Sequence, residues 1–319
     1  MGLAGLKPPP PPAVEHLPRW RRAVEGLRHS RMRDAEVISH HYDVSNRFYE
    51  LVLGPSMTYT CAVFPSHDAT LEEAQAEKYD LVCRKLDLRP GMRLLDVGCG
   101  WGGMVRHAAR EYGVYALGVT LSREQADWAK RAIDDERLGD LAEVRHSDYR
   151  DVTESDFDAI SSIGMTEHIG VRNYPAYFSD MLRRLRPGGR FLNHCITRPH
   201  NRPEATGAVI DRYVFPDGEL TGVARIASDV QDAGLEVQHV ENLREHYALT
   251  LRGWCENLEA NWDEAVEEVG VEVGRVWGLY MAGSRIAFER NELNLHHILA
   301  AGTDPAGDYP FPLRPTWGA

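Results

Sequence analysis

Apolar positions recur at three and four residues over 71–86, which predicts an amphipathic helix. After the turn Arg89-Pro90-Gly91, the short run Leu94-Leu95-Asp96-Val97 predicts a first strand, and from there strand and helix patterns alternate. Runs at 114–119, 144–147, 159–163 and 190–196 predict the second to fifth strands. Ser122 stands where a helix running through Gln125 needs its cap, and a further helical pattern covers 174–185 before Arg186-Pro187-Gly188-Gly189. Strands at 235–240 and 294–299 complete the set, separated by a helical block from His246-Tyr247 to about Glu289. This rhythm predicts an α/β fold: a seven-stranded, mostly parallel sheet with helices on both faces.

In such a sheet ligands lie beyond the carboxyl ends of the strands, which places Gly98, Thr120, Asp148, Glu167 and His194 around one crevice. The first of these ends is Gly98-Cys99-Gly100-Trp101-Gly102-Gly103, where missing side chains let backbone approach a ligand at the start of a helix. The spacing departs from the dinucleotide fingerprint and lacks the Lys-Ser/Thr of a phosphate loop. It resembles the first motif of class I S-adenosylmethionine (SAM) methyltransferases, a Rossmann-like fold.

The rest of the chain frames that unit. Pro8 to Pro12 form an extended run, read with residues 1–38 as a linker and basic arm, which suggests either a preceding segment in the natural protein or a frayed start. Leu17, Trp20, Val24 and Leu27 recur at helical spacing among six arginines, which fits a membrane-surface helix or equally a helix packed on its own domain. Residues 39–90 read as a helical cap, 198–234 as an insertion over the crevice, 246–289 as a second covering segment, and 302–319 as a tail. The methyltransferase domain is therefore placed at 39–301.

Composition narrows the function. A net charge of −12 over 319 residues argues against general nucleic-acid binding. Five cysteines without a C-x-x-C pair signal neither a zinc site nor a disulfide framework, and no apolar run reaches the length of a membrane span. The expected location is the cytoplasm, peripheral at the inner membrane surface.

Around the crevice gather Cys61, Glu167, His168, His194, Tyr213 and Tyr247, with Trp254, Trp277 and Tyr280 nearby. An apolar chamber with few polar groups suits a hydrocarbon substrate, although the tryptophans and Tyr280 fit equally as core. Several stretches together carry a likeness: Met57-Thr58-Tyr59-Thr60-Cys61-Ala62, the glycine turn, Gly118-Val119-Thr120-Leu121-Ser122, Asp148-Tyr149-Arg150-Asp151, Glu167-His168-Ile169-Gly170, Tyr213-Val214-Phe215-Pro216-Asp217-Gly218 and His246-Tyr247-Ala248. They resemble the cyclopropane fatty acid synthase family, in the family's order, from about His40 to Ala300. Within it the wording is similar to an actinobacterial branch that makes 10-methylene-stearoyl lipids from oleoyl lipids, on the way to tuberculostearate. Thr166, Cys195 and His296-His297 depart from the common cyclopropane pattern.

The resemblance implies SAM and bicarbonate as cofactors, an unsaturated phospholipid as substrate, and a flavin-dependent reductase as the partner that consumes the product; a homo-oligomer is left open. For SAM it implies Tyr59 and Thr60 as lid, Gly98, Gly100 and Gly102 at the methionine end, Thr120, Leu121 and Gln125 at the ribose and adenosine, and Asp148 and Tyr149 at the adenine. For bicarbonate it implies Cys61, Glu167, His194, Ile196 and Tyr247, with the Ile196 backbone N–H as a donor. Attack of the alkene on the sulfonium methyl leaves a carbocation, which aromatic faces stabilise and the anion deprotonates. Proton loss after a hydride shift gives a methylene branch; direct loss from the new methyl closes a cyclopropane, the alternative product.

Overall fold

The computed structural model describes residues 45–202, 218–304, 306–307 and 311–317. The proline run, the basic segment, His41 to Val44 and the Tyr213 to Asp217 stretch lie outside the described residues, so their predicted roles belong to sequence alone.

Two helices come first. Ser45 accepts a hydrogen bond from the Phe48 N–H and starts α1 (Asn46–Leu53). Helix α2 (Leu71–Leu86) opens with a capping box in which Thr70 and Glu73 bond each other's backbone N–H groups. The alternating unit follows: β1 (Arg93–Val97), α3 (Gly103–Tyr112), β2 (Tyr115–Thr120), α4 (Arg123–Asp135), β3 (Ala142–His146), β4 (Phe157–Ile163), α5 (Thr166–Ile169), α6 (Tyr174–Arg184) and β5 (Leu185–Thr197). Then come α7 (Val223–Asp232), β6 (Glu236–Asn242), α8 (Arg244–Ala260), α9 (Trp262–Glu289) and β7 (Asn294–Ala301). Helix α9 is interrupted at Gly270, whose φ of 83° is not helical.

The strands form one seven-stranded sheet in the order β3-β2-β1-β4-β5-β7-β6. Pairs from β3 to β5 are parallel, and β7 runs antiparallel to both of its neighbours. The expected α/β fold with its mostly parallel sheet is present. Apolar side chains of α2, α3 and α4 cover one part of the sheet and those of α6 and α7 another, while α1, α8 and α9 share a third core around Trp254 and Trp277.

Two boundaries differ from the sequence reading. Strand β5 begins at Leu185 rather than 190, because Leu185 pairs with Phe157 across a bulge and Gly188 and Gly189 bond Gly302. Residues 223–232, read as part of a crevice cover, form α7 instead. Its Ile226 and Val230 are buried in the core that α6 shares with the sheet, because apolar residues four apart line one helical face. Within the described part of that segment, Gly218 and Leu220 do reach the crevice.

Candidate active site

The turn after β1 shapes the crevice floor. Gly98 and Gly100 adopt φ of 77° and 54°, a region that L side chains rarely enter. A Cβ on Gly98 would stand 3.0 Å from the Met165 sulfur, whereas one on Gly100 would stand in open space. Both glycines line a cavity of about 480 Å³. Gly102 does something different: it caps α3 at φ 76°, and a Cβ there would meet the Cβ of Ala129 at 3.0 Å, so its bareness lets α3 pack on α4.

The ends of β2, β4 and β5 supply the next walls. At β2, the Thr120 hydroxyl donates to the Gln125 amide oxygen at 2.8 Å, which spends that oxygen and leaves the amide NH2 to serve a ligand. Thr120, Leu121, Gln125 and Tyr149 line the cavity together with Tyr59 and Thr60 from the segment before α2. Asp148 does not: its carboxylate accepts from the Arg150 backbone N–H at 2.9 Å and pairs with the Arg150 guanidinium. Eleven of the predicted cofactor and anion positions other than glycines therefore share the cavity with Gly98 and Gly100, while Asp148 and Gly102 stand behind it.

The reactive corner is built by α5 and β5. Glu167 lies on the short α5, and its Oε1 accepts the Ile196 N–H at 2.7 Å. That contact corrects one expectation: the Ile196 N–H is spent on Glu167, because the one-turn helix sets the carboxylate against the β5 backbone. Oε2 of Glu167 is buried without a hydrogen-bond partner, and so is Nε2 of His194. Burial pushes the Glu167 carboxyl up to about 7 against the pull of the Ile196 N–H. Burial also drives His194 well below the ordinary imidazole range, aided by the positive charges of Lys78 and Lys85. Cys61 and Tyr247 line the same cavity, and burial pushes the Cys61 thiol up, so it stays neutral at neutral pH.

Much of the remaining wall is apolar and aromatic. Leu251, Tyr280, Ala287, Phe288 and Leu295 line the cavity from α8, α9 and β7. Tyr247 and Phe288 rings lie 4.6 Å apart, and the Tyr59 hydroxyl meets that of Tyr280 at 3.4 Å. Trp254 and Trp277 stand one layer back as core, packed on Tyr59 at 5.3 and 5.7 Å. His168 also lines the cavity. Cys195 points to the opposite face of the sheet, among the apolar residues under α6, as alternation along a strand requires.

Among the cavity residues that sequence reasoning missed are Lys78 and Tyr79, and it passed over the side chain of Asp96. Lys78 donates to the Thr60 hydroxyl at 3.2 Å and stands 3.5 Å over the Tyr79 ring; Asp96 accepts from Ser161 at 2.6 Å. Burial lowers Lys78 to about 7 and raises Asp96 to about 6, each opposed by the charge of the other. The available signal was a lysine on the inward stripe of α2, where Ala74, Val82 and Leu86 are apolar.

A family model described as "Mycolic acid cyclopropane synthetase" matches residues 29–298. The chain is 63% identical over 318 residues to a probable fatty acid methyltransferase of Mycobacterium tuberculosis, covering 99% of this chain and 74% of that protein. It is 36% identical over 260 residues to the cyclopropane-fatty-acyl-phospholipid synthase of Escherichia coli K12, covering 81% of this chain and 66% of the other. Among solved structures, that of the mycolic acid cyclopropane synthase CmaA1 complexed with SAH and CTAB superposes with a TM-score of 0.78 at 33% identity, over 84% of this chain and 98% of that one.

Proposed function

Because the chain belongs to the mycolic acid cyclopropane synthetase family and is a SAM-dependent methyltransferase, we propose that it methylates carbon at the cis double bond of an oleoyl phospholipid, giving a 10-methylene acyl chain. When bound, SAM supplies a methyl group on a sulfonium, an electrophile that a carbon–carbon double bond can attack. The glycine turn gives its methionine end close backbone approach, and Thr120, Leu121, Gln125 and Tyr149 face the remainder. Leu251, Ala287, Phe288 and Leu295 give a hydrocarbon tail a dry wall.

The observation that carries this reading is the pair of unpartnered buried atoms, Glu167 Oε2 and His194 Nε2, in a chamber that also holds the apolar and aromatic wall of Tyr247, Leu251, Ala287, Phe288 and Leu295. Buried polar atoms without partners are costly, so a small polar ligand that bonds both is favoured there. Bicarbonate fits this donor set: its hydroxyl can donate to the carboxylate and its oxygens can accept from the imidazole. Held there, it offers a base for the proton that carbon methylation releases. The rings of Tyr247, Phe288 and Tyr59 line the chamber in which the intermediate cation needs stabilising. In this reading a reductase would then consume the methylene product, and a phospholipid substrate held in a membrane leaflet would have the enzyme work at that surface.

Methyl-labelled SAM and oleoyl phospholipid test the product. Vinylidene protons in the NMR spectrum of the recovered fatty acids are expected, and upfield ring protons would instead establish the cyclopropane outcome. Glu167→Gln should lower turnover by about 10²–10⁴-fold, as loss of a positioned acid–base group does, with SAM affinity unchanged. An unaltered rate would remove Glu167 from the reaction.

A further inference from the structure

A row of side chains crosses the sheet beside this corner. Strand register sets Glu241 of β6 opposite His297 of β7, His297 opposite His194 of β5, and His194 beside Ile163 of β4. Lys85, from α2, reaches the row from the helical layer. Its Nζ lies 2.9 Å from His297 Nδ1 and also contacts Glu241 Oε2. His297 Nε2 in turn lies 2.8 Å from His194 Nδ1. Lys85 and His297 are fully buried, and only Glu241, about one-third exposed, touches solvent. None of these three lines the cavity.

The chemistry of the groups fixes where the protons sit. An ammonium has donors and no acceptor; burial lowers the proton affinity of Lys85, and the Glu241 carboxylate in contact with its Nζ opposes that and holds it in the ammonium form. His297 Nδ1 must therefore accept, which leaves its proton on Nε2. That N–H donates to His194 Nδ1, so the His194 proton also sits on Nε2, the one ring nitrogen without a protein partner. We propose that Lys85, His297 and Glu241 form a tautomer lock: they hold His194 as a neutral imidazole that offers the cavity an N–H donor, and they bar it from serving as the base. The use of that donor rests on the proposed reaction; the lock itself does not. The depressed proton affinity of both imidazoles, caused chiefly by burial, is in keeping with neutral rings.

Lys85, His297 and Glu241 are positioning residues, and substitution at 297 separates a lock from a proton wire. A glutamine can accept from Lys85 through its carbonyl and donate to His194 through its amide, yet it cannot relay a proton. With His297→Gln, kcat should stay within about threefold of the parent. His297→Leu, which removes a charge-assisted contact and the donor to His194, should lower kcat by about tenfold or more with KM for SAM unchanged. Equal losses in both variants would overturn the lock in favour of a relay.

An activity-free measurement stands beside this. Long-range proton–nitrogen NMR of the full chain with labelled histidine should show His194 and His297 neutral and protonated at Nε2, and His194 should lose that single tautomer in Lys85→Met. Nδ1 protonation or an imidazolium at His194 in the parent, or an unchanged tautomer in Lys85→Met, would overturn the proposal. A lock seen by NMR in a protein that leaves oleoyl phospholipid untouched would refute only the reading of the reaction.

Discussion

Glu167 titrates near neutrality, and that gives its protonation two measurable signatures. In the proposed role Glu167 accepts a hydrogen bond from bicarbonate and must be ionised to do so, so kcat should fall as pH drops through about 7. The stability effect has the opposite direction. Its native proton affinity is raised above the ordinary carboxyl value of 4.5, so between 4.5 and about 7 the native state binds more protons than the unfolded state and stability declines with rising pH. Thermal denaturation should therefore show Glu167→Gln gaining on the parent between pH 5 and pH 8. Lys78 behaves inversely: its native affinity is lowered to about 7, so from there to its ordinary 10.5 the unfolded state binds more protons and stability climbs. The advantage of Lys78→Met over the parent should shrink across that range, and a constant difference would show that Lys78 is not neutralised by burial.

Local structure was the most legible level. Helix α2 starts and ends where its apolar period places it, and Ser122 caps α4 as expected, accepting from the Gln125 N–H at 3.3 Å. Thr70→Ala should cost about 1 kcal/mol, read from chemical denaturation. Gly102→Ala should cost more, because it combines a left-handed backbone with a Cβ placed 3.0 Å from Ala129; the strain alone is about 1–2 kcal/mol. Where the reading of elements failed, the reason is tertiary. Arg186-Pro187-Gly188-Gly189 has the composition of a turn, yet Gly188 and Gly189 find partners at Gly302 that no local pattern reveals. Residues 223–232 follow a stretch whose sequence breaks the strand–helix rhythm, and only packing against α6 identifies them as an ordinary sheet-covering helix.

At the scale of the whole molecule, the cavity positions were legible because the strand-end rule and the likeness to a known family converge on the same groups. Gly98, Thr120, Glu167 and His194 do meet in one chamber. What could not be read is register. The sequence flagged His296-His297 as unusual without indicating that one of them would face His194, since residues 85, 194, 241 and 297 meet only after the sheet has formed. The same pairing means that β7 is threaded between β5 and β6, although it is synthesised after both. A nascent chain on the ribosome can assemble β1 to β5 early, but β6 has no place in the sheet until residues 294–301 emerge. The pocket wall carried by β7 and the contact between His297 and His194 must then arise in that closing step, so a chain stopped at Leu293 should bind SAM poorly even if its glycine turn has already formed.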